Sequence, residues 1–198
     1  MNKRKLLENL RREGFSDEII KAFRKTRRGK FVSDIYKRYA YEDIALPLEY
    51  GATISQPSTI AFMLNLLELK KGHKILEIGS GCGYVLAILY EITKGEIYGI
   101  EVIKSLAEKS KKTLRNLGYV NIKVIDKNGY FGLTAKAPFD RILISAAADK
   151  VPEHLFLQLK GNGIMVVPVG NSIFKFRKRK EKILTEEFSG FAFVPLIE

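Results

Sequence analysis

Cysteine and histidine are nearly missing from this chain: Cys82 is its only thiol, and His73 and His154 are its only imidazoles. A single thiol cannot close an internal disulfide, so a reducing, cytoplasmic setting is expected. Neither histidine has a cysteine or carboxylate cluster at ligand spacing, and no metal site is expected. No apolar run approaches the roughly 20 residues needed to cross a bilayer, so no membrane association is expected. The opening Met1-Asn-Lys-Arg-Lys-Leu-Leu-Glu8 is charged and periodic where a signal peptide would be continuously apolar. Internal repeats and low-complexity linkers are absent as well. What remains is a chain of 198 residues, 46% of them hydrophobic, which is enough for one domain with a substantial core. A monomer is the expected state.

Positive charge dominates the polar residues, with 34 Lys and Arg against 22 Asp and Glu, a formal net charge of +12. Such a field speeds encounter with nucleic acid and with carboxylate-bearing peptides alike, and does not select between them. A lysine-rich solvated surface explains it more simply than a dedicated nucleic-acid face.

Periodicity divides the chain into three stretches. Residues 1–56 read as an N-terminal helical cap and a substrate-side segment. Leu6 and Leu10 lie one turn apart, and Ser16 is a plausible N-cap before Asp17, Glu18, Ile19, Ile20 and Phe23. From Arg27 to Ser55 no period is sustained, and aromatics (Phe31, Tyr36, Tyr39, Tyr41, Tyr50) mark a long irregular stretch with an expected functional role. Residues 57–170 alternate. Pro57 opens a helix with Ile60, Leu64 and Leu67 on one face. Strands are expected at Lys74–Ile78, Ile97–Glu101, Ile122–Ile125, Asp140–Ser145 and Ile164–Val169. Helices are expected at Tyr84–Thr93, Ile103–Leu117 and Pro152–Leu159. This order implies an α/β, Rossmann-like fold, a mostly parallel twisted sheet with helices on both faces. Residues 171–198 read as C-terminal strands, broken by the basic run Lys175-Phe-Arg-Lys-Arg-Lys180.

The most informative motif is Glu77-Ile-Gly79-Ser-Gly81-Cys-Gly83, set between the first strand of that core and its helix. Glycine permits positive φ in a tight turn and lets a ligand pack directly on backbone. Open α/β sheets bind ligands at this end of their strands. A dinucleotide fingerprint would need glycine at position 84, which is tyrosine, and no lysine stands in P-loop register for a triphosphate. Glu77 is placed to engage the amino acid end of a ligand. Glu101, at the end of the next strand, is placed to accept from ribose hydroxyls. Strand, glycine turn, helix, strand and terminal acid together point to S-adenosylmethionine.

At this point the chain resembles a known family, the protein-L-isoaspartate O-methyltransferases, from about Phe31 to Leu196. The most specific block is Gly51-Ala-Thr53-Ile-Ser55-Gln-Pro57. Tyr41-Glu-Asp43, Lys136-Ala-Pro138-Phe-Asp140, Ala146-Ala-Ala148, Val167-Pro-Val-Gly170 and Phe193-Val-Pro-Leu196 follow in compatible order. The resemblance implies methyl transfer from S-adenosylmethionine to the free carboxylate of isoaspartyl residues in damaged proteins, the first step of their repair. It implies a sheet whose last strands are exchanged relative to the common methyltransferase order. It also places Ala52, Thr53, Ile54, Asn128 and Gly129 at the cofactor, and Ser55 beside the transferring methyl as the catalytic residue. A carboxylate with a pKa near 4 is already ionised at pH 7 and needs no general base, only alignment and exclusion of water. The chain departs from the family at Lys127-Asn128, where Gly-Asp is usual, and Lys127 is expected to be strained if that position is left-handed. Ser33 replaces a usual proline, and Ser58 and Ile60 stand where some relatives carry histidine.

Two other functions compete. Phe174 and Phe176, interleaved with cations, could stack bases and contact phosphates in an RNA methyltransferase, although a hairpin with charged outer positions reads better. Lys127-Asn128 raises a catalytically impaired cofactor-binding homologue. Cys82 reads as a small residue tolerated at a helix start, and Tyr130 and Phe131 as either adenine neighbours or core.

Overall fold

In the computed structural model of the chain, which describes residues 2–180 and 182–196, the expected alternation is realised almost element for element. Met1, Glu181 and residues 197–198, at the ends of the expected cap and within the expected C-terminal strands, lie outside the described residues. Helix α1 (Lys3–Arg12) starts at Asn2, whose side chain accepts from Lys5 N. Helix α2 (Asp17–Lys25) starts at Ser16, whose hydroxyl accepts from Ile19 N at 3.4 Å. Short capping side chains satisfy amides that have no partner within the first turn.

The irregular stretch that follows is not shapeless. It winds through 3-10 turns at Arg28–Lys30, Asp34–Tyr39 and Glu49–Gly51. A two-stranded antiparallel ribbon, β1 (Leu46–Pro47) and β2 (Thr53–Ile54), holds its end. Helix α3 (Pro57–Leu66) carries proline in its first turn. Then come β3 (Ile75–Ile78), α4 (Tyr84–Thr93), β4 (Ile97–Glu101), α5 (Lys104–Asn116), β5 (Ile122–Asp126), β6 (Phe139–Ile144), β7 (Leu159–Val169), β8 (Ser172–Arg179) and β9 (Lys182–Ser189).

Strands β3 to β9 form one sheet in the order β5-β4-β3-β6-β7-β8-β9. The first five in that order run parallel, and β8 and β9 are antiparallel to their neighbours. The last three strands therefore lie side by side in chain order. Period-two alternation sorts the side chains between two cores. Ile75, Leu143, Ile164 and Val166 join the cluster that buries Leu10, Ile20, Leu64, Leu86 and Leu114 of the five α-helices. Leu76, Ile78, Ile142, Ile144, Met165 and Val167 face the opposite side. There the cover is 3-10 rather than α-helical: Thr134–Lys136, and Glu153–Gln158 in place of the helix expected at Pro152–Leu159.

The basic run differs from expectation. It does not break the tail. It lies inside β8, and the chain turns only at Lys180, where φ is 52°. Alternation explains this. Lys175 is 8% exposed and reaches Glu68 and Glu186 at 3.0 Å each, and Arg177 also binds Glu68. On the opposite side Lys178 donates to the Phe156 and Leu159 carbonyls at 2.8 and 3.1 Å. Phe174 and Phe176 stack on each other at 6.0 Å. Lys175, Arg177, Lys178 and both rings are thus engaged within the fold, whereas Arg179 and Lys180 at the turn are exposed.

Candidate active site

The glycine loop leaves the end of β3 and closes on its neighbour, with Gly79 N and Ser80 N both donating to Ile100 O at 2.9 and 3.0 Å. Gly79, Gly81 and Gly83 have φ of 77°, 52° and 83°. Gly83 is doubly constrained, because a Cβ there would also lie 2.4 Å from Ser110 Oγ on α5. Glu101, 5% exposed, accepts from Gly81 N at 2.8 Å and from Ile103 N at 3.0 Å. Its first task is thus to brace the loop. A carboxylate offers about four lone-pair sites, so two remain for hydroxyls of a ligand.

Glu77 is 1% exposed at the foot of the loop. Its Oε1 accepts from the Ser145 hydroxyl at 2.7 Å, while Oε2 has no hydrogen-bond partner among the described residues. Burial pushes this carboxyl up to about 8, opposed by the Ser145 hydrogen bond and reinforced by the Glu101 charge. A buried, unpartnered carboxylate oxygen is costly and is the natural seat of an ammonium group.

Ser55, half-buried after β2, shares a cavity of about 240 Å³ with Thr53, Gln56, Thr59, Ser145 and the extended chain at 192–194. Ser145 therefore links the two halves of the site, with its side chain on Glu77 and its surface in the Ser55 cavity. Ala146, the next residue, packs on Gly79. Ile54 is buried, whereas Ala52 and Thr53 are partly open. Gly129 lies against the sheet, where a Cβ would come within 2.5 Å of Ile78 Cγ2. Asn128 Oδ1 accepts from Tyr130 N at 2.8 Å, a local turn that leaves its amide nitrogen outward. The expected residues thus lie in two groups in space: the segment of Ala52, Thr53, Ile54 and Ser55 beside the 240 Å³ cavity, and Glu77, the glycine loop, Glu101, Asn128 and Gly129 at the ends of β3, β4 and β5.

Three expectations are refined. Lys127 is not left-handed. The non-glycine residues with positive φ among those described are Tyr50, Glu68, Lys94, Asn162 and Lys180, so the strain foreseen at Lys127 is not incurred. Phe131 is 69% exposed and clusters with Tyr130 and His154, so these rings are not core. Cys82 is held well above the ordinary thiol range, at about 12, chiefly by burial, and is inert as a nucleophile. It borders a second cavity of about 360 Å³ between the 30–49 stretch and α5, which none of the expected site residues line. His73 is committed to Lys70 N and His154 to Tyr130 O. No metal-ligand cluster occurs among the described residues, nor any helix long and apolar enough to cross a membrane.

Sequence reasoning missed two residues. Ser145 precedes three alanines and looked inert, because its role depends on a contact with Glu77, 68 positions away. Arg28 belongs to no motif that sets it apart from the other cations, yet it is completely buried.

Sheet, glycine turn and paired acids define a Rossmann-like S-adenosylmethionine methyltransferase fold. The sequence profile described as "Protein-L-isoaspartate(D-aspartate) O-methyltransferase" matches residues 1–198, and the chain belongs to that family. A protein-L-isoaspartate O-methyltransferase of Ignicoccus hospitalis is 41% identical over 205 residues, covering 99% of this chain and 97% of that one. Its counterpart in Dictyoglomus thermophilum is 44% identical over 199 residues, covering 98% and 90%. A solved protein-L-isoaspartate O-methyltransferase superposes with a TM-score of 0.91 at 32% identity over 98% of this chain, which spans 65% of that protein. A Plasmodium falciparum protein described as a "putative protein-L-isoaspartate O-methyltransferase", solved in complex with S-adenosyl-L-homocysteine, gives 0.85 at 27% identity, covering 100% and 99%.

Proposed function

We propose that the chain methylates the free carboxylate of L-isoaspartyl residues in damaged proteins, using S-adenosylmethionine, and that the Ser55 cavity receives that carboxylate. The observation that carries this is the pairing of Ser55 and Ser145 in one cavity, with the Ser145 hydroxyl donating in turn to Glu77, whose other oxygen is buried without a partner among the described residues. The residues present fit the cofactor. Glu77 Oε2 suits its ammonium, Glu101 its ribose hydroxyls, and the backbone of Gly79 and Gly81 offers a surface free of Cβ atoms. When bound, the cofactor supplies an electrophilic methyl carbon on a sulfonium.

The chain's own work is alignment. The acceptor carboxylate is ionised at neutral pH, so no proton needs to be removed. The cavity accordingly presents hydroxyls and an amide (Thr53, Ser55, Gln56, Thr59, Ser145) and neither histidine nor lysine. The Ser55 hydroxyl donates to one carboxylate oxygen and leaves the other to react. Phe193 and Val194 close the far wall and keep water from competing.

The test is transfer of labelled methyl to paired peptides identical except for Asp or isoAsp, with tRNA in parallel. Labelling of the isoAsp peptide alone is the expected result. Labelling of tRNA alone would replace this reading with an RNA methyltransferase, and failure to bind S-adenosylhomocysteine would remove both.

A further inference from the structure

One buried cation joins the segment of Ser55 to the irregular wall beside it. Arg28 lies in the first 3-10 turn after α2 and is 0% exposed. Its guanidinium forks across three stretches of chain. Nη1 donates to Ala40 O at 2.9 Å and to Glu42 O at 3.4 Å. Nη2 donates to Ile44 O at 3.0 Å, Ser55 O at 3.0 Å and Ile54 O at 3.4 Å. Behind it, at 6.0 Å, stands the ring of Tyr84, the first residue of the helix that follows the glycine loop. Burial disfavours its charged form, while Tyr84, Cys82, Asp43 and Tyr41 oppose that trend.

A buried guanidinium aimed at carbonyls does more than fill space. The carbonyls of Ala40, Glu42 and Ile44 belong to a wall with almost no regular secondary structure, so few backbone bonds hold it. Those of Ile54 and Ser55 belong to the segment that carries the acceptor serine. Only a planar group with several fixed donors can hold both at once. A lysine ammonium has three donors on one nitrogen and cannot span them.

We propose that Arg28 is a positioning residue for methyl transfer: by gripping the Ser55 carbonyl and the 40–44 wall together, it sets the Ser55 hydroxyl and the peptide-facing wall in one fixed relation. The inference rests on the reading of the Ser55 cavity as the acceptor site. Glu77, Glu101 and the loop after β5 lie outside the fork, whereas Ile54, which the resemblance places at the cofactor, meets it only through its carbonyl, so Arg28 bears chiefly on the acceptor side.

The experiment compares wild type, Arg28→Lys and Arg28→Ala, the last with and without added guanidinium chloride. It measures methyl transfer to an isoaspartyl peptide, S-adenosylhomocysteine affinity by calorimetry, and amide hydrogen exchange. In Arg28→Lys, kcat/KM for the peptide is expected to fall about 10- to 100-fold, the scale of a small misplacement of a reacting group. S-adenosylhomocysteine affinity should fall far less, within about threefold, since Glu77, Glu101 and the glycine turn make no hydrogen bond to Arg28 among the described residues. Exchange should quicken at the amides around 40–44 and 54–56 and not in β3 or β4. Low concentrations of guanidinium should restore activity to Arg28→Ala and leave wild type unchanged. Unchanged peptide kinetics in Arg28→Lys, or parallel loss of S-adenosylhomocysteine affinity, overturns the proposal. So does an Arg28→Ala protein that folds but gains nothing from guanidinium. Should wild type fail to label the isoaspartyl peptide, the acceptor reading falls, and the exchange pattern still decides whether Arg28 clamps Ser55.

Discussion

At the scale of single residues, the site separates binding from chemistry, and two side chains test the division. Ser55 lines the cavity proposed for the acceptor and makes no hydrogen bond to the glycine loop among the described residues. Ser55→Ala should therefore lower kcat about 10- to 100-fold, the loss of one hydrogen bond to a charged group, while calorimetry finds S-adenosylhomocysteine bound as in wild type. An equal loss of donor affinity would place Ser55 on the wrong side of the site. Glu77 gives the complementary case. Its carboxyl is raised to about 8 from an ordinary 4.5, so in the fold it holds a proton at pH 7. The sign follows for an acid raised by folding. Its favourable contribution is complete below about 4.5 and is lost as pH climbs through about 8, because the unfolded chain releases the proton and the folded one resists. Stability without ligand should thus decline from pH 5 to pH 8. An ammonium on Oε2 would favour the carboxylate, so donor binding should release a proton and strengthen as pH rises towards 8. Titration of S-adenosylhomocysteine at pH 7 in buffers of different ionisation heat reads this directly. Heats independent of buffer, or an unchanged dependence in Glu77→Gln, would contradict it.

Elements show where a sequence speaks and where it is silent. Helix α4 is legible to the residue, because Gly83 needs a left-handed φ and an apolar run follows it. The strands β3 and β4 are legible because both of their faces are buried. The stretch from 27 to 55 is not. Its order comes from a guanidinium bound to carbonyls, and every residue type carries the same carbonyl, so no pattern of side chains reports it. β8 misleads for a related reason. Lys175, Arg177 and Lys178 look solvated until Glu68, Glu186 and the 156–159 carbonyls are brought to them from afar. At the site, Glu77, Glu101 and the glycines could be found from spacing alone, whereas Ser145 required the sheet to place β6 beside β3. Gly83 also yields a prediction about an element junction. Gly83→Ala adds a Cβ 2.4 Å from Ser110 Oγ and 3.0 Å from Leu114 Cδ1 at a φ of 83°. The left-handed strain and the overpacking together should cost about 2–4 kcal/mol in urea denaturation. Ser110 Oγ is buried without a partner among the described residues, so adding Ser110→Ala removes the worst contact at little cost of its own. The double variant should regain part of the loss and retain the backbone strain. If the double variant is no more stable than Gly83→Ala, α5 does not set the position of the loop.

For the molecule as a whole, the two cores account for the fold, and the surface charge can be tested separately for an effect on encounter with the acceptor. The formal charge is +12, and Lys30, Lys37, Arg38 and Lys127 are all exposed. Lys37 pairs with Asp34, but that pair is exposed on both sides, and such contacts contribute little. A net positive field of this kind acts on the rate of encounter with an anion more than on the strength of the final complex. Isoaspartyl peptides with acidic flanking residues should accordingly be methylated with a kcat/KM that falls several-fold as ionic strength rises from about 0.02 to 0.5 M, over which the Debye length shrinks from roughly 20 to 4 Å. The fall should appear in kcat/KM and leave kcat nearly constant, because once the acceptor is seated its contacts are short and partly buried. A peptide with the same isoaspartyl centre and uncharged flanks should show a much weaker salt dependence. Equal slopes for the two peptides would mean that the field does not steer the acceptor. The basic surface would then belong to the solvation of the protein and not to its reaction.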